Sequence, residues 1–172
     1  MIHINTKKSQ KIYIQMKVNK ELEKAVLLGN LSLTKSLIKD GCDVDGKDKY
    51  GRTILYDAIV KGFQEIVLEL CLAKANVNNQ DKNGKTPLHF SAIHHQFEIA
   101  KILIQYDAEV NLKDENGNTP IFDAVFNANG FNDIILLLIE NGANPSMQNY
   151  YGVSPKEIAE TSDNFKFPNI FK

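Results

Sequence analysis

The sequence predicts an all-α solenoid of stacked antiparallel helix pairs joined by β-turn fingers, and three observations predict it. A block recurs every 33 residues: Asp48, Asp81 and Asp114 are each followed by a glycine (Gly51, Gly84, Gly117) and then a threonine (Thr53, Thr86, Thr119). A further block opens at Asn149 with Gly152, Ser154 and Pro155, displaced by two extra residues near Asn127 to Gly130. Between the blocks run apolar segments with helical spacing: Ile66, Val67, Leu70 and Cys71; Ile99, Leu103 and Ile104; Ile134, Ile135, Leu138 and Ile139. A constant period of this length marks a repeat architecture, in which each unit buries its apolar face by stacking on its neighbours.

Each unit reads as a short turn and two helices. The glycine at the fourth position suits a tight turn because it tolerates positive φ. The next Thr or Ser is placed to cap a helix through its hydroxyl, and Pro87, Pro120 or Pro155 then fills the first helical turn, where a missing N–H is harmless. Ala58, Ser91 with Ala92, Ala124 and Ala159 leave room for the adjacent unit to approach. Gly41 and Gly142 end the second helices in the left-handed C-cap position, and Lys74 and Asp107 take that place in the middle units, at about 1 kcal/mol each.

The expected organisation is an extension at 1–18, an amino-terminal capping unit at 19–47, repeats at 48–80, 81–113 and 114–148, the last carrying the insertion, and a carboxyl-terminal capping unit with tail at 149–172. Capping units are expected because an end repeat faces water on one side. In the extension Ile12, Ile14, Met16 and Val18 alternate, which fits a short strand or an extended arm. The tail carries Phe165, Phe167, Ile170 and Phe171 and is expected to fold back over the last repeat, a free recognition peptide being the alternative.

Thr86-Pro87-Leu88-His89 with Ser91-Ala92, and the endings Val77-Asn78 and Val110-Asn111, resemble the ankyrin repeat over residues 19 to about 160. That resemblance implies a concave groove, lined by the turn tips and the first helix of each pair, that binds another protein. By register the tips are Lys49, Tyr50 and Arg52; Lys82, Asn83 and Lys85; Glu115, Asn116 and Asn118; Tyr150, Tyr151 and Val153. On the helices the groove residues are Val60 and Lys61, Ile93 and His94, Phe126 and Asn127. The resemblance also makes His89 a structural histidine of the capping turns.

Leu27, Val60, Ile93 and Phe126 share one register position and are all apolar. The row is either a contact surface or a set of side chains leaning into the seams between repeats; exposure decides. One turn earlier Asp57 and Asp123 flank Phe90 in the same register. Exposed, they favour a partner presenting Lys or Arg; otherwise they cap or pair locally, as Asp57 would with Arg52. Tyr50, Tyr150 and Tyr151 add the aromatic type enriched at binding hot spots. The loop Asn127 to Gly130 reads either as a partner contact or as a tolerated insertion.

Composition narrows the partner. A formal net charge of -1 gives no field for nucleic acid or an anionic membrane. Neither a secretory leader nor an apolar run of about 20 residues is visible, so the expected location is cytoplasmic. Cys42 and Cys71 fall at core positions and are expected as buried thiols. His94 and His95, adjacent on a helix, point about 100° apart and lack partner ligands, so no metal or other cofactor is expected. Phosphate loops, nucleophile elbows and zinc-helix motifs do not occur, so no enzyme is expected. These readings converge on a protein-interaction module, a monomer when free. Two narrower roles are open: an immunity or antitoxin-type inhibitor of a bacterial toxin, and a host-directed effector or adaptor bridging two proteins.

Overall fold

A computed structural model describes residues 20–128, 130–161 and 170–171. The alternation in the extension, Phe165 and Phe167 lie outside the described residues. The chain enters in helix at 20–27 (α1) and continues through α2 (Leu31–Lys39), α3 (Ile54–Val60), α4 (Gln64–Leu72), α5 (Pro87–Ile93), α6 (Phe97–Gln105), α7 (Pro120–Phe126), α8 (Asp133–Glu140) and α9 (Pro155–Thr161). No strand occurs among the described residues. The helices stack in two rows. α3, α5, α7 and α9 pack each on the next to form a front row, and α2, α4, α6 and α8 form a back row.

One apolar core runs the length of the stack, from Leu22 to Ala159. The front-row alanines Ala58, Ala92 and Ala124 are buried, as the close approach of neighbouring helices requires. Cys42 and Cys71 are buried thiols, and burial lifts the Cys71 thiol to about 11. Ile170 and Phe171 pack partly buried against the core.

Gly41 and Gly142 take left-handed φ of 85° and 87°, and Lys74 and Asp107 adopt the same conformation at 63° and 65°. His95, at φ 54°, is a strained position that sequence reasoning missed; it stands where Gly29 and Gly62 make the turn between paired helices. Gly130 makes that turn after α7, two residues late, so the insertion is absorbed in one loop.

The capping expectation needs correction. Thr86 and Ser154 cap as expected, but Thr53 and Thr119 make no side-chain cap bond, and both hydroxyls are buried without a partner. The difference lies three residues on: His89 and Glu157 bond back to their caps, whereas Tyr56 and Phe122 stand in that place at the other two.

Candidate functional site

Each finger is organised by its first residue. Asp48 Oδ1 accepts from the N–H groups of Tyr50 and Arg52, Asp81 Oδ1 from Asn83 and Lys85, Asp114 Oδ1 from Asn116 and Asn118, and Asn149 Oδ1 from Tyr151 and Val153. This is why Asp or Asn opens every block: its short side chain closes the turn on its own backbone. The tips then join one another. Lys82 donates its N–H to Tyr50 O at 2.8 Å, Glu115 to Asn83 O at 2.9 Å and Tyr150 to Asn116 O at 3.0 Å. The approach is close enough that a Cβ on Gly84 would sit 2.8 Å from Glu115 N.

Side chains add a second ladder between fingers. Arg52 Nε reaches Asp81 Oδ2 at 3.1 Å, Lys85 Nζ reaches Asp114 Oδ2 at 2.9 Å, and Asn149 Nδ2 donates to Asn118 Oδ1 at 2.9 Å. The same two cations also lean over the front row. The Arg52 guanidinium lies 4.8 Å from the Phe90 ring centroid, and Lys85 Nζ lies 2.6 Å from Asp123 Oδ2. Burial alone would lower Lys85, but Asp123 and Asp114 outweigh it and hold the ammonium above its ordinary pKa. Burial works against Asp114 too, yet Lys85 and the turn N–H groups bring its carboxyl below the ordinary range. Burial keeps Asp123 above that range despite Lys85.

These contacts overturn part of the site expected from sequence. Phe90 is 8% exposed, packed edge-on against Tyr56 at 5.1 Å and covered by Arg52, so it offers a partner little surface. Asp123, 7% exposed, is neutralised by Lys85, and Lys85 is thereby committed within the fold. Arg52 pairs with Asp81 rather than Asp57. An acidic patch built on Asp123 is therefore ruled out.

Two buried rings tie the fingers to the helices. The Tyr56 hydroxyl lies 2.5 Å from Asn79 O and 2.9 Å from Lys85 O, and burial pushes its pKa well up. His89 Nδ1 accepts from Thr86 N–H at 3.1 Å, and Nε2 donates to Asn118 O at 3.1 Å. Burial lowers the imidazole pKa to about 4, so the neutral ring serves the structure at ordinary pH, as the resemblance implied.

The apolar row is open to solvent. Leu27 is 40% exposed, Val60 46% and Phe126 71%, with Ile93 half-buried, while Ile59 and Val125 immediately before the row are buried. The reading that placed these side chains in the seams thus fails for Leu27, Val60 and Phe126, and Ile93 is in between. Phe126 stacks on Phe122 at 6.5 Å. Beside the row Lys61 and His94 are exposed, and Asn127 is half-buried with its Nδ2 bonded to Asp123 O. At the tips Lys82, Tyr50, Tyr150 and Tyr151 are exposed. Exposed apolar residues that sequence reasoning missed include Leu28, next to the row, Leu33, Leu72 and Leu136 on the back-row helices, and Phe131, whose ring stands 5.2 Å from His95. The insertion immediately before Phe131 was the available signal, because it shifts the residues after it out of the 33-residue register.

A half-open cleft of about 220 Å³ lies between α1, the turn at 43–48 and the start of α3. Its lining sets Glu23, Asp43, Asp48 and Asp57 against Lys20, Lys47 and Arg52. Burial raises the Asp57 pKa, and Glu23 and Asp48 raise it further against the pull of Arg52 and Lys61. Among the described residues no group of three His, Cys, Asp or Glu is placed to hold a metal, and no helix is long and apolar enough to cross a membrane.

The family model for ankyrin repeats (3 copies) matches residues 21–81 and 65–149, most of the chain. The protein is an ankyrin-repeat protein, and ankyrin repeats are generally protein–protein interaction modules. No curated protein matches the sequence.

Proposed function

We propose that this protein binds a folded protein partner on the face made by its front-row helices and finger tips. The observation that carries the proposal is that Leu27 on α1, Val60 on α3 and Phe126 on α7 are exposed at one register position, with Ile93 on α5 half-buried between them, while Val26, Ile59 and Val125 just before them are sealed. Folded chains seldom leave contiguous apolar area in water without a use, and the tyrosines at the tips extend the surface with side chains suited to hot spots. Several repeats offer room for a standard interface of about 800 Å² per partner. By register the partner-facing residues are Tyr50, Val60, Lys61, Lys82, Ile93, His94, Phe126, Asn127, Tyr150 and Tyr151, with Asp57 at the cleft; Arg52 and Lys85 act from beneath by shaping the fingers.

Phe126→Arg tests the proposal. Its ring is already in water, so helical content and melting should stay within about 0.5 kcal/mol of wild type. Affinity capture from the native cell, run with both proteins, should lose the partner in the variant. Equal capture by the folded variant would remove this face from consideration.

A further inference from the structure

The charges of the binding face sort into those already matched and those left over. Arg52 is held by Asp81, and Lys85 by Asp114 and Asp123. Four carboxylates line the cleft, and one of them, Asp57, makes no ion pair among the described residues; its partial burial, with Glu23 and Asp48 nearby, disfavours its charge against the pull of Arg52 and Lys61. Of the three cations in the lining, Arg52 is paired with Asp81, and Lys20 and Lys47 leave the four carboxylates in excess. A partly desolvated carboxylate among like charges gains most from an incoming cation. The cleft and the apolar row are parts of one surface. Glu23 stands four residues before Leu27 on α1, and Asp57 three before Val60 on α3, so each carboxylate lies one turn from an exposed apolar side chain on the same helix face.

Resting on the protein-binding reading above, we infer that the partner's contact surface sets a Lys or Arg beside an apolar or aromatic ridge. The cation enters the cleft at Asp57, Glu23 and Asp48, and the ridge lies along Leu27, Val60, Ile93 and Phe126. The carboxylates specify which end of the array the cation meets, and the row supplies the buried apolar area.

A random peptide library displayed on phage, selected against the full chain, tests this. Enriched peptides should combine Lys or Arg with Leu, Ile, Phe or Trp. Measured by fluorescence polarisation, their affinity should fall about tenfold or more in Asp57→Asn and in Val60→Glu, both folded by circular dichroism, and should weaken as salt rises. Acidic or uncharged peptides that still require Phe126 and Val60 would overturn the charge assignment while leaving the binding face intact. Peptides indifferent to Phe126→Arg and Val60→Glu, or no enrichment over bare support, would overturn both. Self-association of the free chain abolished by Val60→Glu would assign the face to a second copy and defeat the inference.

Discussion

Replacing Lys85 by Met removes an ammonium that serves two buried carboxylates. Asp114 and Asp123 are 3% and 7% exposed, and Lys85 Nζ stands 2.9 Å and 2.6 Å from them. Breaking a buried pair by removing one partner costs about 3–5 kcal/mol. The Lys85 side chain is 22% exposed, and Asp114 keeps its bonds from Asn116 and Asn118, so the expected loss is nearer 2–3 kcal/mol. That corresponds to a melting temperature lower by about 4–12 °C for a chain of this size. The loss should also depend on pH with a definite sign. Burial already holds Asp123 above its ordinary pKa, and without Lys85 it rises further. A carboxylate that binds its proton more tightly when folded weakens the fold as pH rises through the window between its unfolded and folded pKa values. Urea unfolding followed by circular dichroism should therefore show the deficit largest near pH 8 and shrinking toward pH 5. Lys85→Met combined with Asp123→Leu should recover part of the loss, since an apolar pair replaces an unmatched charge. A deficit below about 0.5 kcal/mol, or one constant across that pH range, would refute the view that Lys85 neutralises the interior of the face.

His89 predicts an acid limit. Its pKa falls from 6.5 to about 4 on folding, so stability is complete above 6.5 and declines below it, by roughly 2 kcal/mol at pH 5. His89→Gln should flatten that part of the pH profile, and an unchanged profile would acquit the residue. Tyr56→Phe removes the hydroxyl that meets Asn79 O and Lys85 O, and should cost about 1–2 kcal/mol without changing helix content. A neutral result in thermal melts would mean that water satisfies those carbonyls.

The architecture was legible because turn chemistry and packing repeat with the same period. Asp or Asn at the start of a block, glycine three later and the apolar run of the second helix each follow from one local requirement, and each was placed correctly. The site was half legible. Register alone put Val60 and Phe126 on a common face, and they are exposed there. Register could not say that Phe90 and Asp123 would be covered, because their covers come from the preceding finger, 38 residues back in sequence: Arg52 for Phe90 and Lys85 for Asp123. The failed caps at Thr53 and Thr119 were legible in principle, since the residue three on is Tyr56 or Phe122 and neither can return the bond that His89 makes.

The rungs between fingers join equivalent places in adjoining repeats, so removing a whole unit is expected to rejoin them in register. A chain shortened by removing 81–113 would bring Asp114 to the place of Asp81 and Asp123 to the place of Phe90. Arg52 would then inherit both of the lysine's carboxylates, and the splice would heal with a guanidinium in the ammonium's seat. Such a deletion is expected to keep the rungs between turns while a carboxylate replaces the ring that meets Tyr56.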